Sequence, residues 1–427
     1  MAFKDIRKSQ RFLTPADIGF ILGLLVVIIA LLALNIYLAR TYKGGEWLFQ
    51  RWNGVRAFLD DFADIEPYGS TIAQEVQILA YGRAAYLNEY PYALNDPFYI
   101  ILLYTPLAWL FSDFTIVHGI WMLLSECAVV AIVLISIRFT EWESPWWMTT
   151  LLIGFGLFNA FSIHSFLSAS PTAFLTLFYL CILLALQSHT NELAGALLFL
   201  VAYQWEVGAL FFLLMLALVI LNRRWSVMAG FMMLLVIAAI ISILLNSGWP
   251  IDYIRAVVFD WTRQTDYTFG TTLSYIFPQF KVSFAQWINW AILILLFFET
   301  LRAADSHYRH IAWVVFLALA MNPLLGFAIF PTNHVAFLPA AVMVTALVWE
   351  RWTRWRVPLS LLLLILLLSL SHALYYQSTF APERLYSDLL KILPPILAVL
   401  GLYWMRWWAL RAPRLWADQF GVHGVRK

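Results

Sequence analysis

The long apolar stretches of this chain decide most of what it can become. They fall at residues 17–39, 98–112, 115–138, 145–160, 171–188, 193–221, 226–246, 284–301, 311–330, 334–350, 357–376 and 389–409. A membrane-crossing helix needs about 20 mainly apolar residues; the stretches 98–112 and 145–160 are short by that measure. Inside a bilayer every backbone polar group must be satisfied within the chain, which leaves only helices and closed barrels. Runs this long and continuous read as helices. The expected fold is therefore all-α, a polytopic membrane protein of about 10–12 transmembrane helices. The whole chain, 1–427, reads as a single multi-spanning membrane domain.

Charge bears this out. Only 12% of residues are charged, against roughly 25% in soluble domains, so lipid must cover most of the surface. The 27 basic and 25 acidic residues leave a net charge of +2. No domain carries the basic stripe that nucleic acid requires, and no nucleic-acid partner is expected. Cys127 and Cys181 sit in apolar stretches, too few for a disulfide framework or a zinc site.

Lys4, Arg7, Lys8 and Arg11 precede the first apolar run, which is too long for a signal-peptide core. Further basic clusters lie at Arg223–Arg224, Arg302 to Arg309, Arg351–Arg354–Arg356 and Arg406 to Lys427. With the N-terminus inside and all twelve stretches crossing, every cluster falls on the cytoplasmic side. That puts 1–16 and 410–427 in the cytoplasm and 40–97, 248–283 and 377–388 outside, in what is expected to be a bacterial plasma membrane. Trp residues near the run ends, such as Trp147, Trp225, Trp352 and Trp407, suit interfacial aromatic belts. Between Arg138 and Pro171 charge is too sparse to orient the chain. Gly19 and Gly23 form a GxxxG pattern, a close-packing device for membrane helices.

The first external loop holds the best local signal. From Glu46 to Asp61 the spacing predicts an amphipathic helix, with Leu48, Trp52, Val55, Phe58 and Leu59 on one face. Glu46, Gln50, Asn53 and Asp60 gather on the other. Such a helix is expected in the interface plane, its polar face turned to a cavity. Gly44–Gly45 would free the backbone to turn out of the first span. A second short helix is predicted over Ile72 to Tyr86, with Thr71 and Gln74 as a capping box. Glu206 stands near the middle of the run Leu193 to Leu221, where an ionisable group marks a functional position by default. Glu126 has a similar place in the third run; His164 and His372 read as core or cavity residues.

The order of features resembles a known family. Glu46 follows the first span, then come Pro67–Tyr68, Tyr90–Pro91, Asp96–Pro97 and Thr105–Pro106–Leu107. Weaker echoes are Ser170–Pro171–Thr172, Arg223–Arg224–Trp225 and Pro331 to His334. This layout is similar to the GT-C superfamily of multi-spanning glycosyltransferases, and within it to glycosyltransferase family 87, the polyprenol-phosphate-mannose-dependent mannosyltransferases. The family generally carries Asp where this chain has Glu46, a double proline where it has Asp96–Pro97, and Lys near Gln204–Trp205–Glu206.

The resemblance implies an inverting transfer of a sugar, a hexose such as mannose, from a polyprenyl-phosphate donor to a lipid or glycan acceptor at the external face. Such chemistry needs a carboxylate within reach of the acceptor hydroxyl and cations or dipoles for the departing phosphate. Glu46 is the expected base, with Asp60, Asp61 and Asp96 as alternates. Gln50, Asn53, Arg255, Arg263, Asn333 and His334 are expected to bind the phosphate or the sugar, after Arg51, Arg56, Arg83 and Lys281 are weighed as further external cations. No cofactor and no metal is implied, the chain having neither a P-loop nor a paired Asp-x-Asp. Two other readings stay open: a transporter or lipid flippase, which would use Glu206 and Glu126 as relay groups, and a non-catalytic relative of the transferases.

Overall fold

The computed structural model describes residues 15–42, 44–60, 68, 73–75, 77–78, 82–84, 96–204, 206–261, 268–277, 279, 282–380 and 384–411. All regular structure among them is helical. The chain runs through α1 (Pro15–Thr41), α2 (Glu46–Asp60), α3 (Phe98–Leu110), α4 (Phe114–Phe139), α5 (Trp146–Phe158), α6 (Ala160–Leu167), α7 (Thr172–Gln187), α8 (Asn191–Ala202) and α9 (Ala209–Leu221). It continues through α10 (Trp225–Leu245), α11 (Trp249–Trp261), α12 (Phe269–Ile276), α13 (Val282–Ala304), α14 (Tyr308–Met321), α15 (Leu338–Arg351), α16 (Arg356–Phe380), α17 (Arg384–Trp404) and α18 (Arg406–Ala409).

Eight of these, α1, α4, α10 and α13 to α17, are long and apolar enough to cross a bilayer, counting the 3-10 turns that extend α14 and α15. The chain is an integral, multi-pass α-helical membrane protein. The bent pair α5–α6, whose axes differ by 53°, meets the same test when its two halves are taken together. The helices α7, α8 and α9 are apolar but, like α3, shorter than a span requires.

Two apolar stretches behave differently from their sequence reading. Residues 98–112 do not form a span: α3, with a 3-10 turn at Leu102–Tyr104 and Pro106 opening its last segment, packs along α2. Thirteen residues of helix reach about 20 Å, short of a hydrocarbon core of about 30 Å. Residues 193–221 make two helices instead of one. Gly195 in α8 and Gly230 in α10 let the two backbones touch, since a Cβ on either would fall within 2.2 Å of a carbonyl oxygen. At the far end of the run, Arg224 donates to Leu186 O at 3.3 Å, tying the end of α9 to the end of α7. α8 therefore starts, and α9 ends, at the same face, and Tyr203, Gln204 and Glu206 to Gly208 lie at the tip of a hairpin.

The break in α5–α6 is fully dressed. Asn159 Oδ1 accepts from Ser162 N at 3.0 Å, and its amide nitrogen donates to Gly156 O at 2.9 Å. α16 supplies the rest: Ser371 Oγ accepts from Ala160 N at 3.3 Å, and His372 Nε2 donates to Phe158 O at 2.9 Å. Exposed polar backbone is tolerated at membrane depth only when neighbours satisfy it in this way. By contrast, the described side chains of the first half of α1 are exposed, and a Cβ on Gly19 or Gly23 would meet no described atom within 4 Å. α1 instead packs on α4 at its other half, where Gly119 accommodates Ile36.

Candidate functional site

The turn after α1 sets the position of Glu46. Gly45 has φ +81, and a Cβ on Gly44 would lie 2.2 Å from Leu167 O. Only glycine allows this conformation together with so close an approach. Gly45 N donates to Leu167 O at 2.9 Å, which seats the turn on the end of α6. Glu46 is then the first residue of α2, where the helix dipole favours a carboxylate. Burial raises its pKa above the usual Glu value, and a bond from its own backbone N–H opposes this in part.

Two other elements reach this point. His164 of α6 lies with Nδ1 3.2 Å from the Tyr375 hydroxyl of α16, and the Glu46 charge acts on that same phenol. Trp47 meets Phe330 edge to face at 6.0 Å, which leads to the 3-10 segment Pro331–Phe337. There Asn333 Oδ1 accepts from Thr172 Oγ1 at 2.7 Å, and Thr172 in turn pairs with Ser170 at 2.9 Å. The two weak motifs Ser170–Thr172 and Pro331–His334 thus meet in space. His334 is 2% exposed, between Phe161 and Phe337, and neither ring nitrogen has a hydrogen-bond partner among the described residues. It borders an apolar cavity of about 200 Å³ lined by Phe155, Leu338, Leu363, Leu367 and Leu397.

Farther along α2 lies a second cluster. Arg51 Nε is 2.5 Å from Asp96 Oδ2, and the two side chains are 1% and 2% exposed. Tyr68 donates its hydroxyl proton to Asp96 O at 2.8 Å. Tyr104 and Tyr203 flank the arginine, while Tyr99 and Tyr253 feel the aspartate. Burial alone would lower the Arg51 pKa, but Asp96, Tyr104 and Tyr203 outweigh it and hold it above the ordinary value. Burial pushes the Tyr104 phenol up to about 12 despite the opposing pull of Arg51. Tyr68 and Tyr203 are raised as well, first by burial and then by neighbouring Asp96 and Tyr104 respectively.

α2 follows its expected amphipathic pattern, with Leu48, Trp52, Val55 and Phe58 buried against α3 and α4. Its polar side is less open than expected, because Gln50 and Arg51 are buried too and Asn53 donates to Glu75. Glu46, Gln50, Asn53, Asp96, Asn333 and His334 all lie toward one end of the molecule. Arg255 stands apart on α11, its side chain 77% exposed and 3.5 Å from Asp252. Glu206 occupies the tip of the α8–α9 hairpin rather than mid-helix, and its carbonyl accepts from Asn322 Nδ2 at 2.5 Å. Asp61, Pro67, Tyr90–Pro91, Arg263, Lys281, most of the proposed 72–86 helix and the Asp60 side chain lie outside the described residues.

Sequence reasoning missed Tyr104, Tyr203, Tyr253, Asn322 and Tyr375. Only the density of Tyr around the entry to α3 gave any hint of the first. No family model, no curated protein and no solved structure matches the chain.

Proposed function

We propose that this chain is a membrane glycosyltransferase moving a sugar, a hexose such as mannose, from a polyprenyl-phosphate donor to a lipid or glycan acceptor. The observation that carries this reading is Glu46. It is a half-buried carboxylate of raised pKa, at a helix N-terminus, whose charge acts on the Tyr375 phenol that meets His164, at the end of the bundle away from the basic clusters. A base works best when its pKa lies near the working pH, and burial moves Glu46 in that direction.

In the transfer, the acceptor hydroxyl oxygen bonds to the anomeric carbon of the donor from the side opposite the phosphate. The carbon–oxygen bond to the phosphate breaks, and the polyprenyl phosphate leaves with the bonding electrons. Glu46 takes the acceptor proton. One terminal nitrogen of Arg51 is buried without a hydrogen-bond partner among the described residues. The apolar cavity beside His334 suits the first units of the donor's hydrocarbon chain. The positive-inside rule would put this end outside.

The test is transfer from radiolabelled polyprenyl-phosphate-mannose by the purified protein in nanodiscs, with Glu46→Gln alongside. Activity in the wild type, lost in the folded variant, supports the proposal; equal rates in both remove Glu46 as base. The broken pair α5–α6 and the hairpin α8–α9 favour one second reading, a lipid flippase, since transporters build sites from interrupted helices. Proteoliposomes distinguish them: a flippase moves the labelled donor across the bilayer without releasing its sugar.

A further inference from the structure

The opposite end of the bundle holds a cavity that sugar transfer does not use. Three segments converge on it: the α4–α5 connection, the α15–α16 connection and α18. It measures about 1050 Å³ and is lined by Arg309, Arg351, Arg356 and Arg411. Each guanidinium lies over a tryptophan ring. Arg309 is 4.4 Å from Trp408, Arg356 is 5.0 Å from Trp349, and Arg351 and Arg411 are 5.2 and 4.7 Å from Trp407. Stacking of this kind fixes a guanidinium while leaving its N–H edge free.

Charges do not balance around this space. Glu141 takes Arg309 at 2.5 Å. Glu143 and Glu350 also line the wall. Among the described residues no carboxylate pairs with Arg351, Arg356 or Arg411. The ordinary explanation for interfacial arginines is that they answer the negative C-terminal ends of helices. It serves Arg351, which closes α15. It fails for Arg356, which opens α16, and for Arg309, in the first turn of α14. There the cations add to the positive ends of two helix dipoles, an arrangement that draws an anion.

We infer that this cavity is a phosphate-ester site, filled from the membrane by an anionic phospholipid headgroup or from solution by a soluble phosphate. The planar forks of Arg351, Arg356 and Arg411 match phosphate oxygens, and the tryptophan walls suit the boundary between headgroup and acyl chain. Basic pockets between helix ends on this side of a membrane protein are where such headgroups lodge. The inference stands independently of the sugar-transfer reading.

The experiment exchanges the full chain into nanodiscs of phosphatidylcholine with and without phosphatidylglycerol, then identifies retained lipid by native mass spectrometry. Wild type is expected to retain phosphatidylglycerol about tenfold over phosphatidylcholine, and R351Q/R356Q/R411Q to lose that preference at unchanged melting temperature. E143Q/E350Q keeps every arginine and is expected to raise retention about threefold, which tests the site even if the triple variant misfolds. Millimolar inorganic phosphate or glycerol 3-phosphate is then added. Displacement of the retained lipid assigns the site to soluble phosphate; failure to displace assigns it to the lipid. Equal retention of both lipids with no phosphate binding, a preference that survives in the folded triple variant, or no rise in E143Q/E350Q overturns the inference.

Discussion

Each end of the bundle buries an ion pair, and the two are built differently. At the basic end Glu299 takes Arg406 in a fork, 3.1 and 3.0 Å through its two oxygens. His310 Nε2 stands 3.8 Å from the same carboxylate, and its other ring nitrogen meets Ser306 at 2.9 Å. Both carboxylate oxygens are engaged, and α13, α14 and α18 are stapled together. At the α2 end Arg51 and Asp96 share a single 2.5 Å contact among five tyrosines, and one arginine nitrogen has no hydrogen-bond partner among the described residues. A buried pair is weak evidence for stability, since apolar residues of similar volume often hold a fold as well. The carboxylate forked by Arg406 through both oxygens reads as structure, and the pair that leaves an arginine nitrogen unpartnered reads as a site with capacity to spare.

Four measurements break or sharpen that contrast. The largest effect is expected from Glu46→Gln, which should slow sugar transfer by about 10²–10⁴-fold while the protein stays folded. Loss of both folding and activity together would make Glu46 structural. Next, Asp96→Asn strands the Arg51 guanidinium and should cost about 3–5 kcal/mol in unfolding free energy. Replacing both partners with apolar residues should recover much of that stability without recovering activity, and recovered activity would make the pair a staple after all. Glu299→Gln should cost less, about 1–3 kcal/mol, because Arg406 is 25% exposed and reaches water on its own; transfer should persist. The smallest effect concerns pH. Glu46 has a raised pKa in the folded state, so the native protein holds its proton in a window where the unfolded chain has lost it. Stability should therefore fall as pH rises from the ordinary Glu value through the folded one. Glu46→Gln should remove that slope, and the transfer rate of the wild type should rise through the same window. A melting temperature with identical pH dependence in both proteins would show that Glu46 titrates normally.

Nearly every helix was legible as an apolar run, because the bilayer demands about 20 such residues. Which runs cross was less so. Residues 98–112 and 193–221 are as apolar as a span requires, yet one covers α2 and the other doubles back. Hydropathy reports an apolar surrounding and does not tell lipid from protein. The place of Glu46 could be read from Gly44–Gly45, a local signal. Its neighbours could not: His164 and Tyr375 meet across 211 residues, and Asn322 reaches Glu206 across 116. The pairing of Arg51 with Asp96 was hidden for the same reason, each having been weighed singly as a phosphate binder and a base.

The dressed break between α5 and α6 also bears on how the protein is made. Its exposed carbonyl and amide are satisfied by Ser371 and His372, and the first of these is bonded to a residue 211 positions earlier. At about 5–20 residues per second, the ribosome needs roughly 10–40 s after making the bend before it delivers the helix that completes it. Through that interval the bent segment holds unsatisfied backbone groups, so it must wait at the membrane–water boundary or beside the insertion machinery. The passes therefore cannot be laid down one at a time in final form, and the last third of the chain is a condition for the bend at Phe158–Ala160 to settle.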